Sequence, residues 1–284
     1  MQQVPPSMVS RVAMILESFD SSVELSASEI GRATGIPLPS THRILQELVR
    51  VGFLEQDEGS RGYRLGLHLW ELARRNSTHL ELRDAAIPHL ERLQSRFRCI
   101  AQLAVLQGTD IVYLEQVGDP SSVPNVTRAG IRLPAVACSP GLVLAAFSSP
   151  DRQQEVLNSK KARFTDHTVV DKGRLQEIVF KAQQEHSVTV DGWLHPETSG
   201  IAVPVLMSSG TAIASCSVLV RSDSSGRNAI KEQLMLTGRE LAKTIKTRRI
   251  GVPDSSLEML KMRLRSLSSS RKIRPAPGTA ADPE

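Results

Sequence analysis

The chain has 284 residues, 40% of them apolar, with 35 Lys and Arg against 30 Asp and Glu for a net charge of +5. That length accommodates two domains with cores of their own. No stretch reaches the roughly 18 apolar residues of a membrane span and the N-terminus carries no basic-then-apolar leader, so a membrane protein is excluded and a cytoplasmic one expected.

Residues 1 to 6 are polar and Pro-containing and are expected to fray. From Ser7 to Phe19, Val9, Val12, Ala13, Leu16 and Phe19 recur at threes and fours, the pattern of an amphipathic helix. Ser26-Ala-Ser-Glu29 has the spacing of a capping box and opens a short helix that Gly35 is suited to end. A second helix starts near Pro39, with Pro39 expected at its first position. Its apolar stripe is Ile44, Leu45, Leu48 and Val49, and its outer side carries Arg43, Gln46, Glu47 and Arg50. Gly52 to Leu54 leads into an extended run, Asp57 to Gly62 reads as a hairpin turn, and Tyr63 to Gly66 as the returning strand. Helix, turn, helix and hairpin make a winged helix whose second helix enters the major groove. Spacing alone also admits a small helical dimerisation module that binds no DNA.

Ser26 to Gly35, Pro39-Ser-Thr41-His-Arg43-Ile-Leu45, Leu48 to Leu54 and Gly62 to Gly66 resemble the winged helix of IclR-type transcriptional regulators. That family commonly has a basic residue where this chain has Pro39, a departure that bears on the operator sequence and leaves the scaffold intact. On the DNA face, Arg43 and Arg50 are placed to meet bases or phosphates and Gln46 can pair with adenine. Ser40 and Thr41 suit phosphate contacts, although Thr41 falls toward the apolar side of the wheel. Arg61 and Arg64 in the wing suit backbone or minor-groove contact.

After the wing, Leu67 to Arg75 continues as helix, Asn76 to Thr78 marks a break, and Leu80 to Phe97 is helical again with Pro88 expected to bend it. Similar IclR regulators have a linker helix here that joins the domains and helps to pair two subunits; from the residues alone it could equally be the first helix of the second domain. Cys99 to Gln107 and Ile111 to Val117 read as a β-hairpin, and Val123 to Leu133 as further strand ending at Pro134. Helices are expected at Leu142 to Phe147, Pro150 to Ser159 and Arg174 to His186. Strands follow at Ser187 to Trp193, Gly200 to Leu206 and Ala212 to Val220, and a closing helix at Asn228 to Thr247. Consecutive strands with segregated helices indicate an α+β domain. Gly130 to Pro134, Ala137 to Ala146, Ile201 to Val205 and Gly210 to Val220 are similar to the IclR effector domain, a relative of the GAF fold. The resemblance covers about residues 8 to 248. The expected organisation is a winged helix-turn-helix domain over 1–75, a linker helix region over 76–98, a GAF-like effector-binding domain over 99–250 and a disordered basic tail over 251–284.

The tail dominates the charge. From Lys243 onward ten basic residues stand against four acids, which leaves the remaining chain at −1. The basic balance therefore says nothing direct about the winged domain.

Cys138-Ser139-Pro140-Gly141 begins a helix, and the free N–H groups and positive dipole there would hold a small carboxylate. By resemblance the effector site comprises Cys138, Ser139, Pro140, Asp191, Gly200 and Ser217, with Leu219 beside them. The alternative for Ser139 is that it caps its own helix. Leu142, Gly200 and Leu219 replace residues that are usually Lys, Cys and Ser in the family, so the pocket is expected to be less polar and its effector larger or more apolar, such as an aromatic. A thiol hydrolase built from Cys138 or Cys216 with His195 and Asp191 can be written down, but nothing in the sequence places them together. Three cysteines and seven histidines show neither disulfide nor metal spacing, and no cofactor is implied.

These residues describe an effector-responsive transcription factor whose partners are double-stranded operator DNA and a small organic effector, carboxylate or aromatic. It would bind as a homodimer, by resemblance a dimer of dimers. Two other readings remain: a nonspecific nucleic-acid-binding protein that uses the basic tail, and a sensor or enzyme without an operator.

Overall fold

The computed structural model describes residues 6–250 except 21, 120 and 126, together with all but one of their side chains, that of residue 76. The tail expected to be disordered and nearly all of the N-terminal stretch expected to fray lie outside the described residues. The chain divides into two compact units that meet at Glu81 and Leu82.

In the first unit, α1 (Met8–Glu17) is capped by Ser7 and runs into a 3-10 turn at Ser18–Asp20. The capping box of α2 (Ala27–Thr34) is complete: the Ser26 hydroxyl accepts from the Glu29 N–H at 3.3 Å, and the Glu29 carboxylate accepts from the Ser26 N–H at 2.8 Å. Gly35 ends α2 with φ 69°, a left-handed conformation that favours glycine. The next helix, α3 (Leu38–Arg50), begins one residue before Pro39, so that proline stands at the second helical position and not at the first. Its missing N–H is harmless at either. Strands β1 (Leu54–Gln56) and β2 (Tyr63–Leu65) pair antiparallel, Leu54 opposite Leu65 and Gln56 opposite Tyr63. Tyr63 also exchanges backbone hydrogen bonds with Leu25, which ties the hairpin to the lead-in of α2. Ile15, Ile30, Ile44, Leu45, Leu48, Leu54 and Tyr63 close the core. The unit ends in α4 (Leu67–Asn76).

The second unit is built on α5 (Thr78–Phe97), a single 20-residue helix that contains Pro88 and whose first turn belongs to the first unit. Six antiparallel strands follow in the order β5-β4-β3-β8-β7-β6, from β3 (Ile100–Gln107), β4 (Asp110–Val117), β5 (Arg132–Pro134), β6 (Val188–Asp191), β7 (Thr198–Leu206) and β8 (Ala212–Arg221). The strand expected over Val123 to Leu133 is reduced to β5. Upstream of it Asn125 bonds the N–H and the carbonyl of Thr127, both at 2.8 Å, so these groups are satisfied inside a loop. Gly130 then turns with φ 87°.

Alternation sorts the sheet into two faces. Ala101, Leu103, Val203, Cys216 and Val218 pack on α5 and α9 (Arg227–Arg248). Ala104, Ile111, Tyr113 and Ala202 pack on α6 (Ser139–Ala146), α7 (Pro150–Asn158) and α8 (Lys172–Glu185). All eight residues of α6 are buried, as an all-round apolar helix requires. It lies so close to the 3-10 turn Ala135–Ala137 that a Cβ on Gly141 would overlap the Ala135 backbone. Gly141→Ala is therefore expected to destabilise the effector domain by about 2 kcal/mol or more, as overpacking against backbone does; a urea unfolding midpoint equal to that of wild type would contradict this packing.

Candidate functional site

The outer side of α3 presents His42, Arg43, Gln46, Glu47 and Arg50 to solvent. Its arginines are not equivalent. Arg50 donates twice to Glu47, at 3.0 and 2.7 Å, whereas Arg43 makes no ion pair among the described residues. In the hairpin, Arg64 is held between Glu24 at 3.0 Å and Asp57 at 2.6 Å. Asp57 shapes the turn: it accepts from the N–H and hydroxyl of Ser60 and the N–H of Gly59, bonds that hold its carboxyl below the usual carboxylate range. Arg61 sits at the tip with φ 56° and is exposed. Ser40 is half-buried on the first turn of α3.

Thr41 corrects the sequence reading. Its side chain is fully buried and its hydroxyl donates to the carbonyls of Ile36 at 3.1 Å and Pro37 at 3.3 Å. It staples the turn between α2 and α3 and cannot reach a phosphate. His42, which sequence reasoning passed over, lines a surface cleft with Gln46, Ser28, Arg61 and Tyr63. The signal was available, since His42 precedes Arg43 on the polar side of the same helix.

In the second unit, a cavity of about 30 Å³ that opens to solvent lies between the start of α6, the sheet, and two loops that contribute Pro124, Asn125 and Thr127 and Trp193, Leu194 and His195. Cys138, Ser139, Pro140, Gly200, Ser217 and Leu219 line it together, as the sequence reading grouped them. Asp191 does not. Along β6 Val190 faces in and Asp191 out, and Asp191 pairs with Arg227 at 2.6 Å on the protein surface. Gln102, Tyr113, Asn125, Thr127, Trp193 and His195 also line it and were not found from the sequence. Gln102 was legible as the one polar residue inside the apolar run of β3.

Two poles give the cavity its chemistry. At one, α6 starts with Cys138 as N-cap and no side chain caps it. Ser139 is therefore not its own helix cap; its hydroxyl makes no hydrogen bond among the described residues and faces Gly200, where a Cβ would stand 2.9 Å from that oxygen. The helix dipole and the Ser139 N–H favour an anionic or strongly accepting group here. At the other pole the Gln102 amide donates to Thr127 at 2.5 Å and Gln116 at 3.1 Å, and Asn125 donates to Gln116 at 3.1 Å. The Ser217 hydroxyl lies 3.5 Å from the Gln102 carbonyl oxygen. Trp193, Leu194, Val190 and Pro140 supply apolar wall. No Lys, Arg, Asp or Glu is among the lining residues.

The cysteines stay protonated. Burial pushes the Cys138 thiol up to about 12, with the Gly141 N–H and Tyr113 pulling back only slightly. Burial pushes Cys216 equally to about 12, and Cys216 faces the opposite side of the sheet, against α9. Burial, then the neighbouring Cys138, raises Tyr113 well above the usual phenol value. Cys216, His195 and Asp191 thus point to three different surroundings. Among the described residues no group of three His, Cys, Asp or Glu could hold a metal, and no helix is long and apolar enough to cross a membrane.

Residues 8–58 match the model of the IclR helix-turn-helix domain, and residues 75–246 that of the bacterial transcriptional regulator IclR C-terminal domain. The chain is 25% identical over 242 residues to the HTH-type transcriptional regulator XynR of Escherichia coli, covering 84% of this chain and 96% of that one. Among solved structures, it is similar to an IclR homologue from Microbacterium hydrocarbonoxydans complexed with 4-hydroxybenzoate, with a TM-score of 0.79 and 35% identity, covering 85% of this chain and all of that one. An IclR homologue from Microbacterium sp. strain HM58-2 is 34% identical with a TM-score of 0.55, covering 85% and 98%.

The contrast between Thr41 and Arg43 can be measured on stability alone. Thr41→Val removes the donor to the Ile36 carbonyl, while Pro37 keeps the Thr41 N–H, and is expected to cost about 1–2 kcal/mol; Arg43→Ala, on an exposed helical position, should stay within about 0.5 kcal/mol of wild type. Equal unfolding midpoints for the two variants would refute the assignment of Thr41 to the scaffold.

Proposed function

The chain belongs to the IclR family of bacterial transcriptional regulators, with a helix-turn-helix DNA-binding domain and a C-terminal effector-binding domain, and we propose that its effector is a small aromatic acid with an oxygen group at each end of the ring. The carrying observation is the pair of opposed polar poles in a cavity without a charged side chain. Gly200, beneath Ser139, lies on β7 and Gln102 on β3, with β8 between them. Two strand spacings amount to about 10 Å, the length of one benzene ring with a hydrogen bond beyond each end, and the cavity of about 30 Å³ would have to open further to admit it. The carboxylate goes to the start of α6, and a hydroxyl to the Gln102–Thr127 end, with Cys138, Pro140 and Ser217 as flanking contacts. A homologue 35% identical is complexed with 4-hydroxybenzoate, a molecule of that disposition. On this reading the protein works inside the cell as a binding module and not as an enzyme.

For DNA, the reading rests on Arg43 and Gln46 as base contacts and on Ser40 and Arg61 as phosphate contacts. Arg50 and Arg64 join them only by releasing Glu47 and the Glu24–Asp57 pair. Two winged domains, brought together in a homodimer or a dimer of dimers, would occupy the two halves of a palindromic operator. The domain limits we favour keep 1–75 for DNA, 76–98 for the linker and 99–250 for the effector.

Titration calorimetry of the full-length protein with 4-hydroxybenzoate tests the pocket. Binding is expected, with Ser139→Ala weakening it on the order of 5- to 10-fold, the value of one hydrogen bond. Raising the salt from 0.05 to 0.5 M should change the affinity less than twofold, because no Lys or Arg lines the cavity. Absence of heat with 4-hydroxybenzoate and with benzoate alike would reject the aromatic-acid reading. Selection from sheared genomic DNA tests the other end. The wild type should enrich a few palindromic sites and Arg43→Ala should lose that enrichment. Uniform retention that vanishes when residues 251–284 are removed would instead assign the DNA contact to the tail.

A further inference from the structure

The back of the effector cavity is connected to α5 through one irregular stretch of β4. In a regular strand, residues three apart point to opposite faces. Tyr113 and Gln116 nevertheless both face the cavity side, Tyr113 as lining and Gln116 as the acceptor shared by Gln102 and Asn125. The register explains it. Leu103 stands opposite Glu115 but Ala104 opposite Tyr113, so Leu114 is an extra residue, a β-bulge. The bulge turns both Leu114 and Glu115 to the other face, where α5 lies.

Glu115 is there a two-ended link. One carboxylate oxygen accepts the backbone N–H of Gln116 at 2.8 Å, and the other accepts from the Arg83 guanidinium at 2.5 Å. Its side chain is only 13% exposed, so solvent weakens this pair less than it would a pair on the open surface. Arg83 also bonds Asp84 at 3.1 Å and lies in the second turn of α5, two residues beyond the point where the helix leaves the DNA-binding unit.

We propose that this stretch, Tyr113 to Gln116, transmits effector occupancy: a ligand that takes hydrogen bonds from Gln102 and Asn125 repositions Gln116, and the Glu115–Arg83 pair carries the displacement to the start of α5. The proposal rests on the reading of the cavity as the effector site. The bulge interrupts the ladder at Leu114, and it lies between the two groups that must move together. The linked equilibrium is set by the ligand's differential affinity for the two positions of this stretch.

The test uses full-length protein, 4-hydroxybenzoate and an operator fragment recovered by genomic selection. In wild type, 4-hydroxybenzoate should change operator affinity on the order of 5-fold or more. Arg83→Ala and Glu115→Gln should bind 4-hydroxybenzoate within about twofold of wild type while the change in operator affinity falls below about twofold. If the variants bind ligand and respond like wild type, the link is overturned and the pocket reading stands; if wild type binds no 4-hydroxybenzoate, both fall. Should the variants not fold, hydrogen exchange on wild type decides: protection at residues 78–86 and 113–116 must change when 4-hydroxybenzoate is added, and unchanged protection overturns the link.

Discussion

A helix N-terminus buried inside a domain leaves N–H groups that neither water nor the helix can satisfy. The rest of the effector domain is arranged around that constraint at α6. The helix is buried on every side, its first turn holds a proline, and no side chain caps it. Pro140 removes one donor. What remains is the Ser139 N–H and hydroxyl, facing a cavity floored by Gly200 and Leu219. Absence of side chains at Gly141 and Gly200 lets α6 descend onto the sheet and leaves room in front of it. The cavity and the tight core are consequences of one close approach.

The winged domain follows a different economy. Residues 1 to 75 hold eight Arg, no Lys and nine acids, so the domain does not present a general positive field. Its arginines are instead distributed by local bonding. Glu47, Glu24 and Asp57 engage Arg50 and Arg64, while Arg43 and Arg61 project without ion pairs among the described residues. Such a surface gains less from counterion release and relies more on geometry and on the number of domains per particle.

Local chemistry was readable where it was local. The capping box at Ser26 and Glu29, the glycine at position 35, the hairpin turn and the order of strands and helices all follow from residues a few positions apart. The grouping of Ser139 with Gly200 and Ser217 came from family likeness, and the geometry of the sheet explains it: Gly200 and Ser217 face α6 from adjacent strands. Three kinds of feature were out of reach. Thr41 falls toward the apolar side of the wheel, but the Ile36 carbonyl that its hydroxyl serves comes within reach only in the folded turn. Asp191 was taken inward, although strand alternation beside Val190 turns it out to Arg227. Gln102, Gln116 and Thr127 belong to one polar cluster that exists only after β3, β4 and the following loop have met. The bulge at Leu114 has no sequence mark at all, and without it a period of two assigns Gln116 to the wrong face.

That polar cluster also decides what kind of selectivity the pocket can have. A cavity lined by Lys or Arg accepts many anions, because attraction to charge depends weakly on shape. Here the lining is neutral and its polar side chains are mostly spent on one another. A ligand that enters must replace the bonds it disturbs, since a buried amide or hydroxyl left without a partner costs about 1–3 kcal/mol. A ligand that leaves the Gln102–Thr127 bond in place loses nothing there, so the cluster discriminates against groups that break those bonds without replacing them.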